Sequence, residues 1–405
     1  IEDVTHSNSG FALFFIDLDM FKEINDTLGH TWGDELLKAV AKRLVSCIDS
    51  ANGILARFGG DEFVYVANNI TDEIQCEKIA KTLTDCFKKS FELSTESVHI
   101  TSSIGISIFP RDGDGIDDLL KHADAAMYQA KAEGRNRYHF FTKTLSQRLR
   151  QQRNIAARLR ESLQKDEFEL LFQPQIDVKT GKFTSCEALL RWRPLGEESA
   201  VPPNIFIPIA ERSELIADIG RWVLEKTCQQ SKKWKQKGIG VRIDINVSGK
   251  ELEKSSFFER LTACRSHYGL SPEDIGLELT ENVLIKSDNA ILENLRAQRD
   301  LGVEISIDDF GTGYSSLSYL KQFPVSHLKI DRSFLKGAPE NAYDSALMEA
   351  IVNVGHKLDL KIVVEGVETQ SQSDYCKSLN VEFVQGFLYS RPISAEAIEA
   401  LLEKQ

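Results

Sequence analysis

The sequence predicts two domains, a mixed α+β domain followed by an α/β barrel related to the (β/α)8 type. The chain has 405 residues, which is too long for one ordinary domain and suits two. The first third reads as strand, helix, hairpin, helix, strand and helix, whereas the remainder alternates short apolar runs with helical stretches. We place the first domain at 1–142, a helical linker at 143–165 and the barrel at 166–405.

The first domain is organised around a buried strand and a tight hairpin. Phe11–Ile16 is an uninterrupted apolar run of strand length. Gly59 and Gly60 separate two further apolar runs and supply the backbone angles that a tight turn needs, which predicts a hairpin. The predicted elements are a strand at 11–16, a helix at 34–48, strands at 54–58 and 63–67, a helix at 71–91, a strand at 98–109 and a helix at 116–132.

The linker segment 143–165 contains neither glycine nor proline and is rich in Arg, Gln, Leu and Ala. That composition favours a helix, which would join the domains as a stiff spacer. Its arginines could form a phosphate-binding patch, but a solvated helix face is the simpler interpretation.

Short strands alternate with helical stretches throughout 166–405. The alternation predicts βα units around a parallel sheet, and about eight strands in this length favour a closed barrel. The predicted strands are 169–175, 186–192, 241–247, 276–280, 303–308, 327–331, 361–364 and 383–385.

Composition and charge exclude several classes of protein. The formal net charge of −12 argues against nucleic-acid binding, which requires a basic face. Bound metal ions can nevertheless reverse the local field around a phosphorylated small ligand. No apolar run approaches the roughly 18 residues of a membrane span, and no charged-then-apolar leader opens the sequence.

The start of the chain and its cysteines indicate a cellular setting. Residues 1–10 are a polar run without a helix-cap pattern, so we expect a fragment of a longer protein whose N-terminal sensor region lies outside this chain. The cysteines are dispersed and lack any C-x-x-C pair, which predicts reduced, buried thiols without a catalytic or zinc-binding role. We therefore expect a cytoplasmic protein, or the cytoplasmic part of a larger membrane-anchored sensor. The cysteines are Cys47, Cys76, Cys86, Cys186, Cys228, Cys264 and Cys376.

Polar residues accompany the predicted strands of the barrel in a regular pattern. One carboxylate at a strand end is by default a solvated loop acid, but most of these strands share the feature. The C-terminal ends of barrel strands meet at one mouth, where converging carboxylates repel one another unless cations lie between them. The residues are Glu187, Asn246, Glu278, Glu281, Asp308, Asp309, Lys329, Asp331, Glu365, Glu368 and Gln385.

This oxygen-rich set predicts hard divalent cations, magnesium or manganese. The adjacent Asp308 and Asp309 can bridge two ions about 4 Å apart, an arrangement that suits phosphodiester hydrolysis. Lys329 could steady the attacking water or the developing charge. A salt bridge to Asp308 or Asp331 is the alternative role for this lysine.

A second acidic group is predicted in the first domain. The segment Asp17-Leu18-Asp19 ends the first strand, and Asp61 and Glu62 lie at the hairpin tip. Strand-linked acids that lie close together can hold magnesium on a triphosphate. A Gly-Gly-Asp-Glu tetrapeptide considered by itself is more simply a turn.

Residues 166–405 resemble, over their whole length, the EAL family of cyclic di-GMP phosphodiesterases. The motif Glu187-Ala188-Leu189 is short, but the match extends through several further segments, so chance agreement is negligible. These segments are 206–211, 246–248, 278–281, 308–317, 329–331, 365–368 and 385–387.

The EAL resemblance implies hydrolysis of cyclic di-GMP to linear pGpG with two Mg²⁺ or Mn²⁺ ions. Lys329 would contact the attacking water, and Glu281 would anchor the loop 310–317. The implied metal ligands are Glu187, Asn246, Glu278, Asp308 and Asp309, with Glu365 completing the metal and water shell. The residues assigned to the dinucleotide are Gln173, Arg191, Asp331, Glu368 and Gln385.

Residues 11–141 resemble the GGDEF family of diguanylate cyclases, which have an α+β, palm-like nucleotide-cyclase fold. The signature lies at 57–63. The segments 17–26, 29–30, 33–34, 103–107 and 131–136 also follow the family pattern. The resemblance implies Mg²⁺ bound with GTP by Asp17, the Leu18 carbonyl and Asp61. Glu62 would help to activate the attacking 3′-hydroxyl. Guanine would be read by Asn25 and Asp34, and the phosphates held by Lys131 and Arg135.

Two departures from the GGDEF pattern matter. The leading Leu-Thr…Asn-Arg segment of the family is missing. The product-inhibition motif Arg-x-x-Asp should fall at positions 50–53, where this sequence has Ser50, Ala51, Asn52 and Gly53. We therefore expect no feedback inhibition through that site.

Three hypotheses about function are open on the sequence alone. The chain could be a hydrolase regulated by a GTP-binding domain, or a bifunctional enzyme that makes and breaks cyclic di-GMP. It could also be a receptor or signalling scaffold that binds cyclic di-GMP without turnover, which the complete metal set disfavours. Cyclase domains of the family act as facing pairs, so we expect a homodimer.

Overall fold

The computed structural model describes residues 10–48, 52–70, 72–94, 96–196, 199–254, 256–311, 320 and 322–403, with the backbone alone at 146–150 and 286. The chain divides into two compact units, 1–153 and 154–405. Within the described residues, no helix is both long enough and apolar enough to cross a membrane.

The first unit is a five-stranded sheet with helices packed against it. Its elements are β1 (Phe11–Leu18), α1 (Phe21–Leu28), α2 (His30–Cys47), β2 (Gly53–Gly59), β3 (Glu62–Asn68), α3 (Glu73–Asp85), β4 (Phe91–Glu92), β5 (Ser97–Val98), β6 (Ser102–Phe109), α4 (Ile116–Ala132) and β7 (Arg137–Phe140). The strand order is β2-β3-β1-β6-β7, and β4 pairs only with β5 among the described strands.

Strand β1 lies at the centre of the sheet and is buried along its whole length. It pairs antiparallel with β3 on one side and β6 on the other. Successive side chains point to opposite faces of a strand, so Phe14 joins the core with α2 and α3 while Leu13 and Phe15 join the core with α4. A continuous apolar run is therefore the correct signature of this strand.

Helix α1 and strands β4 and β7 of the first unit were not predicted, and one predicted strand is divided in two. Helix α1 was missed although Phe21, Ile24 and Leu28 follow the i, i+3, i+7 spacing of one helix face and pack on the same core. The strand predicted at 98–109 is divided between β5 and β6, since Thr101 bonds Asp19 through its carbonyl oxygen and its hydroxyl instead of joining the sheet. The start of the helix predicted at 71–91 lies outside the described residues.

The prediction that all cysteines are reduced was wrong. Cys47 at the end of α2 and Cys86 just after α3 are paired as a disulfide. The two residues are 39 positions apart, so only the packing of the helices brings them together. Cys76, Cys186, Cys228 and Cys376 are buried thiols as predicted, and Cys264 is half-buried.

The second unit is a closed eight-stranded barrel, which confirms the predicted (β/α)8-type architecture. Its elements after α5 (Lys143–Ser162) are β8 (Phe168–Asp177), β9 (Phe183–Trp192), α6 (Pro203–Arg212), α7 (Ile216–Gln236), β10 (Arg242–Asn246), α8 (Gly249–Leu252), α9 (Ser256–Tyr268), a 3-10 turn (Pro272–Asp274), β11 (Ile275–Thr280), α10 (Glu281–Lys286), α11 (Asn289–Asp300), β12 (Ile305–Phe310), β13 (His327–Ile330), α12 (Arg332–Leu335), α13 (Ala342–Lys357), β14 (Lys361–Val364), α14 (Gln370–Ser378), β15 (Phe383–Val384) and α15 (Ala395–Leu402).

One strand of the barrel breaks the predicted parallel arrangement. β8 runs antiparallel to both of its neighbours, β9 and β15, whereas the other neighbouring pairs are parallel. The cause is local: β8 and β9 are joined by a short turn in which the Asp177 carboxylate accepts bonds from the backbone of Lys179 and Thr180. Gly181, at a φ of 68°, completes the turn. A connection this short permits only an antiparallel pair.

The predicted linker helix is present as α5. Leu145 packs with Ala126 and Phe141 of the first unit. Ile155 and Leu159 belong to the core of the second unit. The helix therefore contributes buried apolar side chains to the unit at each of its ends, which a purely solvated spacer would not do.

Candidate functional site

A fully buried lysine lies at the centre of the barrel's polar cluster. The ammonium nitrogen Nζ of Lys329 lies 2.7 Å from Glu278 Oε2 and 2.8 Å from Glu365 Oε1. It also lies 3.3 Å from Asp308 Oδ1 and 3.4 Å from Glu187 Oε2. One cation therefore faces four carboxylates.

The barrel explains how residues so distant in sequence meet. Neighbouring strands place Asn246 beside Glu278 and Thr280 beside Asp308. Glu365 directly follows β14, whose residue Val363 pairs with Lys329 of β13. The parallel strands thus bring their acids to one mouth, as barrel geometry predicts.

The four neighbouring carboxylates keep Lys329 protonated. Burial by itself would lower the pKa of its ammonium, but Asp308, Glu187, Glu278 and Glu365 together raise that pKa well above its usual value. The lysine is therefore a permanent cation and a hydrogen-bond donor. It is not a proton acceptor near neutral pH.

Glu187 is held in a single orientation by hydrogen-bond donors. Asn246 Nδ2 donates to Glu187 Oε1 at 2.6 Å, and Gln385 Nε2 donates to Glu187 Oε2 at 2.7 Å. Burial opposes ionisation of this carboxyl, but Lys329 and the two amides outweigh burial and lower its pKa. Glu187 is consequently an ionised, oriented carboxylate.

The pKa of Glu278 is shifted in the opposite direction to that of Glu187. Burial, reinforced by the charge of Glu187, raises its pKa well above the usual range even though Lys329 lowers it. Its second oxygen, Oε1, is buried without a hydrogen-bond partner in the described part of the chain. A buried polar atom without a partner is costly, and a cation at this point would satisfy it.

Asp308, Asp309 and Glu365 form a second feature of the mouth. Each offers an oxygen such that the three atoms lie within 4.8 Å of one another. Adjacent residues of a regular strand point to opposite faces, but Asp309 has a φ of 53° and the pairing of β12 with β13 shifts register here. The irregularity allows both aspartates to serve the same mouth.

The pKa values of these acids also favour a cation. Burial raises the pKa of Glu365 to about 7, with Asp308 and Glu187 adding to the shift and Lys329 opposing it. Burial, followed by Asp308 and Asp331, raises the pKa of Asp309. Oxygen-only donors with unrelieved mutual repulsion fit Mg²⁺ or Mn²⁺.

Glu281 and the loop after β12 are placed partly as expected. Glu281 begins α10 and is buried, and its Oε2 accepts a bond of 3.4 Å from the backbone nitrogen of Gly311. Glu281 therefore contacts the start of the loop 310–317, which it was predicted to anchor. The rest of that loop, 312–317, lies outside the described residues.

Three of the residues expected to bind a dinucleotide have defined contacts in the structure. Gln173 and Gln385 are buried beside Glu187, since Gln385 Nε2 also donates to Gln173 Oε1 at 3.2 Å. Asp331 caps α12 by accepting from the backbone nitrogen of Ser333 at 3.0 Å, and its charge acts on Asp309.

The other two expected dinucleotide-binding residues, Arg191 and Glu368, have fewer contacts with the protein. Arg191 is half-buried, and its guanidinium donates to the carbonyl of Leu190 at 2.9 Å. The carboxylate of Glu368 is exposed. Among the described residues, neither side chain has a contact that defines its role before a ligand binds.

The barrel site also contains residues that sequence reasoning missed. Gln175 and Ser185 are buried and continue the amide bonds behind Gln385. Gln175 stands two positions from Gln173 on the same strand and therefore faces the same side. The two-residue spacing from Gln173 is the sequence feature that could have identified Gln175 as part of the site.

The acids of the first unit form a smaller cluster. Asp17 pairs with Glu62 in the register of β1 and β3, and its Oδ2 lies 2.6 Å from Lys131 Nζ. Leu18 bonds Asp61 backbone to backbone, at 3.3 Å. Burial raises the pKa of Asp17 to about 6; Lys131 lowers this pKa, and Asp61 and Glu62 raise it. Crowded oxygen donors of this kind fit Mg²⁺.

The residues of the first unit that were predicted to contact a nucleotide differ in their exposure to solvent. Asn25 Oδ1 is buried without a hydrogen-bond partner in the described chain. Asp34 and Arg135 are exposed, and Arg135 has a φ of 61°. Of the feedback-motif positions, 50 and 51 lie outside the described residues.

Two further acids belong near this cluster: Asp19, which sequence reasoning placed at the end of the first strand without a separate role, and Asp124, which it missed. Asp19 is buried and accepts bonds of 2.7 Å from the hydroxyls of Thr101 and Ser103. Asp124 of α4 adds to the raised pKa of Glu62, after burial itself. Asp124 lies within α4, where its spacing gave no signal, whereas Asp19 directly follows β1.

Comparison with known families agrees with this architecture. The EAL domain model matches residues 156–392, and the model described as "Diguanylate cyclase, GGDEF domain" matches residues 1–137. The chain therefore belongs to the EAL domain family and carries a GGDEF domain in tandem with the EAL domain.

Curated relatives align with nearly the whole of this chain. The signaling protein YkoW of Bacillus subtilis is 38% identical over 409 aligned residues, covering 100% of this chain and 50% of that protein. MucR of Pseudomonas aeruginosa, named as a bifunctional diguanylate cyclase/cyclic di-GMP phosphodiesterase, is 38% identical, covering 99% of this chain and 58% of its own length. The cyclic di-GMP phosphodiesterase PdeR of Escherichia coli is 35% identical, with coverages of 97% and 59%. The chain thus spans half to three-fifths of these relatives.

Solved structures resemble the second unit. A PaMucR phosphodiesterase in complex with c-di-GMP is 38% identical with a TM-score of 0.58, covering 60% of this chain and 99% of that chain. An EAL domain protein from Listeria monocytogenes is 29% identical with a TM-score of 0.53, with coverages of 62% and 98%.

Proposed function

We propose that the second unit hydrolyses cyclic di-GMP to linear pGpG at the Lys329 carboxylate cluster. The observation that carries the proposal is the buried Glu278 Oε1, which has no hydrogen-bond partner in the described residues and lies among three further carboxylates and one lysine. Such a set favours two divalent cations, Mg²⁺ or Mn²⁺. The names of MucR and PdeR, and the c-di-GMP in the PaMucR complex, support the choice of substrate.

The proposed roles follow from the contacts. Glu187, Asn246, Glu278, Asp308 and Asp309 would hold the cations, with Glu365 beside them. When bound, such cations would polarise the phosphodiester and lower the pKa of a bound water. Lys329 keeps its proton and would donate to the attacking oxygen, and its attachment to Glu278 and Glu365 sets its position.

The dinucleotide would lie across the mouth of the barrel. Gln173 and Gln385 form the floor beside Glu187. Arg191, Asp331 and Glu368 are available at the rim for the guanine and phosphate groups, and Glu281 would fix the loop that follows β12.

The test is to incubate the purified chain with cyclic di-GMP and Mg²⁺ or Mn²⁺ and to identify the products by chromatography. We expect pGpG as the first product and its complete loss in Glu187→Ala, because the variant lacks an oriented ligand. Glu169→Ala, which removes an exposed carboxylate paired with Arg193 just after the adjoining strand, is the matched control. Free GMP as the sole initial product, or full turnover by Glu187→Ala at saturating cation, would refute the proposal. Binding without turnover would favour a receptor.

A second activity is favoured by the first unit. The unpartnered Asn25 Oδ1 and the Asp17–Lys131 pair are suited to a guanine and a metal-bound triphosphate, respectively. We propose that this unit binds GTP with Mg²⁺ through Asp17, Leu18, Asp61, Asn25, Asp34, Lys131 and Arg135. It would then regulate hydrolysis or, as a homodimer with Glu62 activating the 3′-hydroxyl, synthesise cyclic di-GMP.

A further inference from the structure

Behind Glu187 a chain of buried side chains is linked by hydrogen bonds in one direction. Ser185 Oγ donates to Gln175 Oε1 at 2.7 Å, and Gln175 Nε2 donates to Gln385 Oε1 at 3.2 Å. Gln385 Nε2 then donates to Glu187 Oε2 at 2.7 Å and to Gln173 Oε1 at 3.2 Å. Gln173 Nε2 ends the chain on the carbonyl of Ser390 at 3.2 Å.

These side chains are isolated from solvent. The exposed fractions are 1% for Gln175, 2% for Ser185 and 4% for Gln385. Water is therefore not available to replace a lost bond, and each amide depends on its neighbour in the chain.

The antiparallel strand β8 creates the arrangement. Ser185 lies opposite Gln175 in the register of β8 with β9, and Gln173 lies opposite Glu187. On the other edge Ile176 pairs with Val384, which immediately precedes Gln385. A single strand thus places an amide between the two strands that carry Gln385 and Glu187.

The direction of each bond determines the next one. An amide presents an oxygen on one side and an NH₂ group on the other. If Gln175 turned over, its oxygen would face the oxygen of Gln385, and Gln385 could relieve the clash only by turning its own oxygen toward the Glu187 carboxylate. The bond from Gln175 to Gln385 therefore holds the Gln385 NH₂ group on Glu187.

We propose that Gln175, supported by Ser185, is a positioning residue for the hydrolytic site. It acts through Gln385 to keep Glu187 oriented for a divalent cation, and it touches neither cation nor substrate. The inference rests on the proposed function of the barrel site. The alternative is that the amides only fill the barrel interior.

The central experiment compares Gln175→Met with the wild-type chain. Methionine has a similar length but can neither accept from Ser185 nor donate to Gln385. We expect Mn²⁺ affinity, measured by calorimetry without substrate, to fall by about 10- to 100-fold, the range found for residues that orient a metal ligand. We also expect kcat to fall while KM for cyclic di-GMP changes little.

A matched control separates positioning from stability. Gln298 is also a buried glutamine of the barrel unit, but its Oε1 accepts from Arg265, on the outer helices. Gln298→Met should lower the melting temperature without changing Mn²⁺ affinity. An equal Mn²⁺ affinity in Gln175→Met and the wild-type chain would overturn the inference.

Ser185→Ala provides a milder variant if Gln175→Met does not fold. We expect a smaller loss of Mn²⁺ affinity, and the double variant should lose no more than Gln175→Met, because both act through one chain of bonds. Fully additive losses would contradict a shared path. If the wild-type chain does not hydrolyse cyclic di-GMP, the proposed function fails, but the Mn²⁺ isotherms still decide the role of Gln175.

Discussion

The two acidic sites of this chain differ in how completely the fold assembles them. In the barrel, Lys329 is fully buried among four carboxylates that come from separate strands. In the first unit, Asp17 has Lys131 as its ion-pair partner, and that lysine remains 30% exposed. A closed barrel directs many strand ends to one point, whereas the described acids of the open sheet come from one strand end, one hairpin tip and helix α4. The barrel site is therefore formed within one unit, and the first site remains open to a ligand or a second copy of the chain.

Removal of the central lysine should give the largest effect on stability. Lys329→Met leaves buried carboxylates without a counter-charge, so we expect the free energy of unfolding of the barrel to fall by about 3–5 kcal/mol without divalent cations. The loss should shrink as pH falls, because the acids then become protonated. Urea denaturation followed by circular dichroism measures the change.

Lys237→Met is the matched control for that lysine. Lys237 is exposed and pairs with the half-buried Glu399 at 2.6 Å, and its removal should cost less than about 1 kcal/mol. Equal losses in the two variants would show that the barrel cluster is no more tightly coupled than a surface pair.

Substitutions in the acidic site of the first unit test whether the two sites act independently. Asp61→Ala or Glu62→Ala should abolish any synthesis of cyclic di-GMP from GTP and leave hydrolysis unchanged, because the barrel cluster draws on none of these residues. Product analysis with GTP and with cyclic di-GMP measures both activities. Vigorous synthesis by a chain shown to be monomeric would contradict the requirement for two facing domains.

A third test uses two buried bases on one strand. Lys329 stays charged, whereas burial, followed by Arg242, lowers the pKa of His327 to about 3 in spite of Glu304. The folded pKa of this histidine lies below its usual value of 6.5, so the unfolded chain binds the proton more tightly. His327 therefore contributes stability above pH 6.5 that is progressively lost as the pH falls toward 3.

The acid sensitivity of the barrel should accordingly be smaller in His327→Gln. Unfolding free energies measured from pH 7 to pH 4 should fall less steeply in the variant than in the wild-type chain, although other groups also titrate. Parallel curves for the two proteins would mean that His327 is not held neutral by the fold.

The smallest expected effect is coupling between the sites. The helix α5 contributes buried side chains to the unit at each of its ends, so we expect a non-reactive GTP analogue to change the hydrolysis rate by about fivefold, at the lower end of allosteric coupling. Asp34→Ala should remove the effect, and Asp26→Ala, an exposed neighbouring acid, should not. Identical rates with and without the analogue would show two independent sites.

The sequence by itself determined the two-domain order, the barrel and most residues of its acidic mouth. Apolar runs and strand-end acids depend on local spacing, which the chain carries directly. The EAL and GGDEF motifs added the chemical roles, and the family matches agree with both resemblances.

Only the tertiary structure decided which residues meet across the fold. The antiparallel course of β8, the Cys47–Cys86 disulfide and the amide chain through Gln175 each join positions that no periodicity links. The protonation of Lys329 and His327 was also undetermined by sequence, because both are buried bases on the same strand and only their neighbours differ. Burial and neighbouring charge are properties of packing, so they exist only once distant segments have been brought together.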